Sequence, residues 1–193
     1  MINFSIVSYL EGEEFKKVRA IQKKLSEITG SKKSLEDWLP HITIGDGIAV
    51  SQVRLGEVES ALENLAAAQK VVHAQIRGFA GIEDWKGSIP GKITPYVIWL
   101  NISVSPELKN LFSDLRDKLT ANHETWLPRT INYIPHITLA CADLSEEGYR
   151  AGMEYVSSLQ FEETLTISHA ALVECYGEGN MDSVEYHKFY FKG

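Results

Sequence analysis

Apolar residues return along this chain in two rhythms, one of period two and one of period 3.6. Residues 2–10 (INFSIVSYL) are rich in β-branched and aromatic side chains, and the pattern predicts a strand. Phe15, Val18, Ile21, Leu25 and Ile28 then recur at helical spacing, which predicts a helix over about 12–29, with Gly30 placed to cap its end. A short apolar segment, Leu39-Pro40-His41-Ile42-Thr43-Ile44, follows. A second helix is expected over about 51–69, with Ser51 as N-cap and Leu55, Val58, Leu62 and Leu65 on one face. Residues 71–76 (VVHAQI) predict a strand, and the Gly- and Pro-rich stretch 83–94 a loop.

The same order then returns. Residues 95–103 predict a strand, and Ser105-Pro106-Glu107 opens a helix with the stripe Leu108, Leu111, Phe112, Leu115 and Leu119. Ile134-Pro135-His136-Ile137-Thr138-Leu139 is the next short segment. Ser145 caps a fourth helix carrying Tyr149, Met153, Val156 and Leu159. Residues 164–173 predict the matching strand, and 183–191 supply an extra one. The first strands open at 2 and 95, the histidines stand at 41 and 136, the caps at 51 and 145, and the last strands open at 71 and 164. A near-constant offset at these four markers, within five elements that return in one order, points to an internal duplication. The expected fold is α+β: duplicated β-α-β-α-β halves forming two lobes, with antiparallel sheets around a central groove. No long linker separates the halves, so one domain over 1–193 is expected, with lobes of about 1–93 and 94–193.

Leu-Pro-His-Ile-Thr-Ile and Ile-Pro-His-Ile-Thr-Leu match position by position. Either string alone is a weak signal; two copies in the same slot of a duplicated chain are a strong one. Side chains alternate along a strand, so His and Thr share one face while the aliphatic residues share the other. A pseudo-twofold would bring His41, Thr43, His136 and Thr138 to one groove. Histidine exists in both protonation states near neutrality, which suits a base that deprotonates water and an acid that protonates a departing ribose oxygen. Threonine hydroxyls can donate to non-bridging phosphate oxygens as charge builds. This chemistry needs neither metal nor cofactor. No arginine lies beside either motif, which leaves a protonated histidine, backbone N–H groups, Lys92 or Arg129 to neutralise the phosphate.

Composition narrows the setting. Hydrophobic residues make up 44% and charged residues 23% of the 193, enough for a core without disulfides. The two cysteines, Cys141 and Cys175, suit a reducing compartment and small buried positions. The first residues have no basic leader and no apolar run approaches membrane-spanning length, so a cytoplasmic protein is expected. The net charge of −7 disfavours tight binding along a nucleic-acid backbone, but not a small nucleotide or one RNA end.

With its paired His-x-Thr-x motifs in duplicated halves, the sequence resembles the two-histidine (2H) phosphoesterase superfamily, and within it the LigT-like 2′,5′ RNA ligase and cyclic phosphodiesterase branch. The likeness extends to Ile76-Arg77-Gly78-Phe79 and to the aromatic strand Val97-Ile98-Trp99-Leu100. It implies a hydrolase, a monomer, acting on 2′,3′-cyclic or 2′,5′-linked phosphodiesters of nucleotides or RNA termini. His41 and His136 would be catalytic, with His136 activating water and His41 protonating the leaving group; Thr43 and Thr138 would contact phosphate. Many such sequences carry an arginine shortly after the second motif. Ala140-Cys141-Ala142 stands there instead, a departure that bears on the substrate rather than the chemistry.

Other readings compete with these. His73, His123, His169 and His187 lack short metal-ligand spacing, and His73, His169 and His187, on predicted strands, are expected to be structural or exposed. Trp38, Trp85, Trp126, Tyr133 and Tyr176 are core-packing residues first and base-stacking platforms second. The lysine pairs at 16–17, 23–24 and 32–33 read as a solvated face. A nucleotide- or RNA-binding module without turnover, and an RNA end-joining or trimming enzyme, are the alternative functions.

Overall fold

The computed structural model describes residues 2–122 and 134–192. His123, Trp126, Arg129 and Tyr133 lie outside the described residues. Strands are β1 (Ile2–Tyr9), β2 (His41–Val50), β3 (Val72–Ile82), β4 (Val97–Ile102), β5 (His136–Ala140), β6 (Glu162–Ile167), β7 (His169–Tyr176) and β8 (Asp182–Tyr190). Helices are α1 (Gly12–Thr29), α2 (Lys33–Glu36), α3 (Leu55–Ala68), α4 (Pro106–Asn122) and α5 (Glu146–Ser157).

The strands form two four-stranded antiparallel sheets, ordered β2-β1-β7-β8 and β5-β4-β3-β6. This is the expected α+β duplication, with a correction to its strand correspondence. Residues 164–173 are not one strand. The chain breaks at Ser168, sending β6 to pair with β3 and β7 to pair with β1. By position in its sheet, β7 is therefore the counterpart of β3. The first half lends β3 to the sheet of β4 and β5, and the second half lends β7 and β8 to the sheet of β1 and β2, so the division near residue 93 does not separate the two sheets. The sequence hid the break because β6 buries alternate residues and β7 buries both faces over His169–Val173, so Leu165 and Ile167 lead into the buried segment without a turn signal at Ser168.

Helices follow the same exchange. α1 and α5 pack together, with α1 against β5 and α5 against β3 and β4; α3 and α4 pack together beside β7, β8 and β2. Gly152 lets α5 lie close, since a Cβ there would come within 2.7 Å of Ile98 Cδ1. Gly30 takes the left-handed C-cap conformation (φ 75°) and bonds to the Ser26 carbonyl. Ser145 Oγ accepts from Gly148 N and Ser105 Oγ from Leu108 N, so both predicted caps of the second half form. Ser51 makes no side-chain cap and opens a 3₁₀ turn before α3.

Burial alternates along the motif strands. Ile42, Ile44 and Ile137 are fully buried and Leu139 nearly so, all in the core beneath the helices, whereas His41, Thr43, His136 and Thr138 are partly exposed on the opposite faces. A one-residue slip of β2 would bury the imidazole and expose both isoleucines. Each buried isoleucine is worth roughly 1.5–3 kcal/mol, so the core fixes the register that presents the histidines.

Candidate functional site

Each motif begins apolar-Pro-His, and the proline gives this order a local consequence. Proline disfavours helix for the residue before it, which keeps Leu39 and Ile134 out of any helix ahead of the motif strands. His41 Nδ1 lies 2.8 Å from Leu39 O, and His136 Nδ1 lies 2.9 Å from Ile134 O. A carbonyl oxygen only accepts, so Nδ1 carries the hydrogen in both rings. In the neutral tautomer each Nε2 then holds the lone pair that takes up a proton.

Both rings line one cavity of about 310 Å³, at the first residues of β2 and β5. Trp38 packs on His41 (ring centroids 5.0 Å apart) and Trp99 on His136 (5.7 Å). Trp38 Nε1 donates to Met181 O at 2.7 Å, and Met181 and Trp85 add to the walls. Burial pushes His41 down to about 4, helped by His136 across the cavity and opposed by the Leu39 bond. His136 is lowered for the same first reason, with the Ile134 bond opposing. The cavity thus holds two neutral imidazoles near pH 7. A bound anion would favour their charged forms and supply the proton that acid catalysis needs.

Of the two threonines, Thr138 lines the cavity with His136. Thr43 lies on the His41 face of β2, opposite Val7, but is not among the lining residues. Lys92 is not among them either; its ammonium pairs with Glu178 on an exposed loop. Among the described residues that line the cavity there is no lysine or arginine. His73 (beside Thr166), His169 and His187 (stacked on Phe189 and paired with Glu59) also stand outside it. Tyr176, expected in the core or as a stacking platform, is instead exposed and outside the cavity lining.

Sequence reasoning missed Gln22, Ser34 and Cys141 as lining residues. Gln22 is 2% exposed on α1; its amide donates to Thr138 O (3.1 Å) and Ser34 O (3.3 Å), while its oxygen accepts from Arg19. β5 is an edge strand, and Gln22 serves its outward carbonyl. The available signal was one polar residue within the buried face of α1, beside Val18, Ile21 and Leu25. Cys141 occupies the position after the second motif, 3.3 Å from Ser34 Oγ, and burial raises its thiol pKa.

A family model described as the 2′-5′ RNA ligase superfamily matches residues 47–179. The chain belongs to the 2′-5′ RNA ligase superfamily. The match includes the second motif and begins after the first, and β2, which carries His41 and Thr43, holds the same edge position in its sheet as β5. Solved structures share the superfamily fold along nearly the whole chain. TT0787 of Thermus thermophilus is 18% identical with a TM-score of 0.70, covering 100% of this chain and 99% of that one. E. coli LigT in apo form is 12% identical with a TM-score of 0.66, covering 100% and 98%. The MHV ns2 PDE domain is 17% identical with a TM-score of 0.53, covering 91% and 100%. A search of curated proteins returns no match. The family match and the shared fold agree: the chain has the architecture of these structures over nearly its whole length. Among the described residues, no helix is long and apolar enough to cross a membrane.

Proposed function

We propose that the protein hydrolyses 2′,3′-cyclic or 2′,5′-linked phosphodiesters of nucleotides by acid–base catalysis through His41 and His136. The observation that carries this reading is the matched pair of imidazoles in one cavity, each with Nδ1 tied to the carbonyl two residues earlier. The phosphodiester sits between them. His136 Nε2 takes a proton from water as its oxygen bonds to phosphorus. The bond from phosphorus to a ribose oxygen breaks, and protonated His41 delivers the proton to that oxygen. Thr138 donates to a non-bridging oxygen, and Thr43 is its symmetric counterpart beside His41. The tryptophan walls suit a nucleobase. That E. coli LigT has been crystallised with 3′-AMP, ATP and NADP+ supports a nucleotide as the ligand class.

Turnover of a panel of 2′,3′-cyclic mononucleotides and 2′,5′-linked dinucleotides, with chelator present and products resolved by chromatography, tests the proposal. The expected result is a bell-shaped pH–rate profile on at least one substrate, with ring opening to a monoester. Nucleotide binding without turnover on every member would favour a binding module instead. Joining of RNA ends in the same mixtures would favour a ligase.

A further inference from the structure

His169 is fully buried at the start of β7, outside the cavity. A buried imidazole with no part in a groove calls for a structural reason, and its hydrogen bonds supply one. The β1–β7 ladder runs from Asn3↔Cys175 to its last pair, Val7↔Ala171. The next rung would join Tyr9 to the backbone at residue 169. The side chain takes that place: Tyr9 N donates to His169 Nε2 at 3.1 Å. With Nε2 accepting, Nδ1 carries the hydrogen and donates to Ser168 Oγ at 3.2 Å. Tyr9 is the residue directly opposite His41 in the β1–β2 register. Its ring stacks against His169 on one side (6.2 Å) and meets His41 edge-on from the other (6.2 Å). Tyr190 also packs on His169, and Lys188 lies over the Tyr9 ring at 5.3 Å. Leu10 N in turn donates to Pro40 O, so the end of β1 is bonded to the residue just before His41.

We propose that His169 is a positioning residue for His41: its Nε2 replaces a ladder bond and fixes the end of β1, against which the first-motif imidazole is set. Without an acceptor at Nε2, the Tyr9 N–H loses its partner and the end of β1 is released. His41 then loses both its strand neighbour and the ring that flanks it. Among the described residues no such histidine serves His136 at the matching place, where Asn101 stands opposite it on β4. Catalytic groups tolerate little misplacement; about 1 Å can cost on the order of 10²-fold in rate.

The inference rests on His41 being one of the proton-transfer groups, and the test separates the two ideas. His169→Leu removes the acceptor at similar volume, while His169→Gln keeps an acceptor oxygen the same number of bonds from Cβ as Nε2. In His169→Leu, kcat should fall about 10- to 100-fold with KM changed less than about threefold, and His169→Gln should restore kcat to within about fivefold of wild type. In parallel, NMR should show faster exchange of the Tyr9 amide and a shifted His41 ring resonance in His169→Leu only, with far-UV circular dichroism retained. Unchanged Tyr9 exchange and His41 resonance in His169→Leu would overturn the positioning role, whatever the activity. Equal loss of kcat in both variants, in step with lost thermal stability, would overturn it as well. Altered resonances in His169→Leu, with a wild-type protein that shows no turnover, would leave the positioning role standing and count against the hydrolytic reading.

Discussion

Converting His41 to Asn should flatten the acid limb of the stability curve, and the size of the effect follows from where the ring sits. An imidazole titrates near 6.5 in the unfolded chain; burial beside Trp38 and across from His136 pushes His41 down to about 4 in the folded one. The unfolded state therefore binds more protons between those values, and stability falls as pH drops through that window. At pH 7 both states are almost fully neutral and the contribution is small. At pH 4.5 the unfolded ring is charged and the folded one mostly is not, which costs about 2 kcal/mol at roughly 1.4 kcal/mol per unit. The carboxylates titrate in the same region in both proteins, so the difference between wild type and His41→Asn isolates the histidine. Urea unfolding at pH 7 and pH 4.5 measures it. The expected loss on acidification is about 2 kcal/mol smaller in the variant. A loss equal in both proteins would mean that His41 is as hydrated in the folded state as in the unfolded one, and would refute the desolvated-pair description.

Three further outcomes follow from the same geometry. Because the cavity holds neutral imidazoles, binding of inorganic phosphate or a nucleotide monophosphate should take up protons; calorimetry in buffers of different ionisation enthalpy at pH 7 should report uptake of up to about one proton, and affinity should weaken as pH rises. Thr138→Ala should lower kcat more than Thr43→Ala, by roughly tenfold or more against a few-fold, since only Thr138 lines the cavity; equal effects would indicate that substrate seats symmetrically on both strands. Gln22→Met should leave the Thr138 and Ser34 carbonyls without their donor, costing about 1–3 kcal/mol and roughly 3–9 °C in Tm, with a larger proportional loss of kcat than of nucleotide affinity.

The duplication and the motif pair were legible because both rest on period-two alternation with a fixed offset: Ile42, Ile44, Ile137 and Leu139 announce a buried face, and the histidines and threonines fall on the other. What the sequence left hidden is what depends on distant partners. The break at Ser168 and the exchange of β3 and β7 between sheets leave no turn signal in the sequence, because Leu165 and Ile167 continue the apolar pattern into the buried start of β7. Gln22 reads as a neutral helix residue until α1 is laid along the β5 edge, and His169 as an ordinary strand histidine until the β1 ladder is seen to stop one rung short of it. Ser34 and Cys141 meet only because the loop before α2 is held by Asp143, which accepts from Ser31 Oγ and the Lys32 and Lys33 amides across 110 or more residues. Thr43 and Thr138 looked equivalent in sequence; the cavity takes up only the second.

The most direct measurement is the single-turnover rate of 2′,3′-cyclic nucleotide opening in wild type, His41→Ala, His136→Ala and the double variant, at the optimum pH with chelator present. Two-histidine catalysis requires each single variant to lose about 10²–10⁴-fold, with the double variant scarcely slower than the worse single, because the two groups act as a unit. Full activity in either single variant would contradict it.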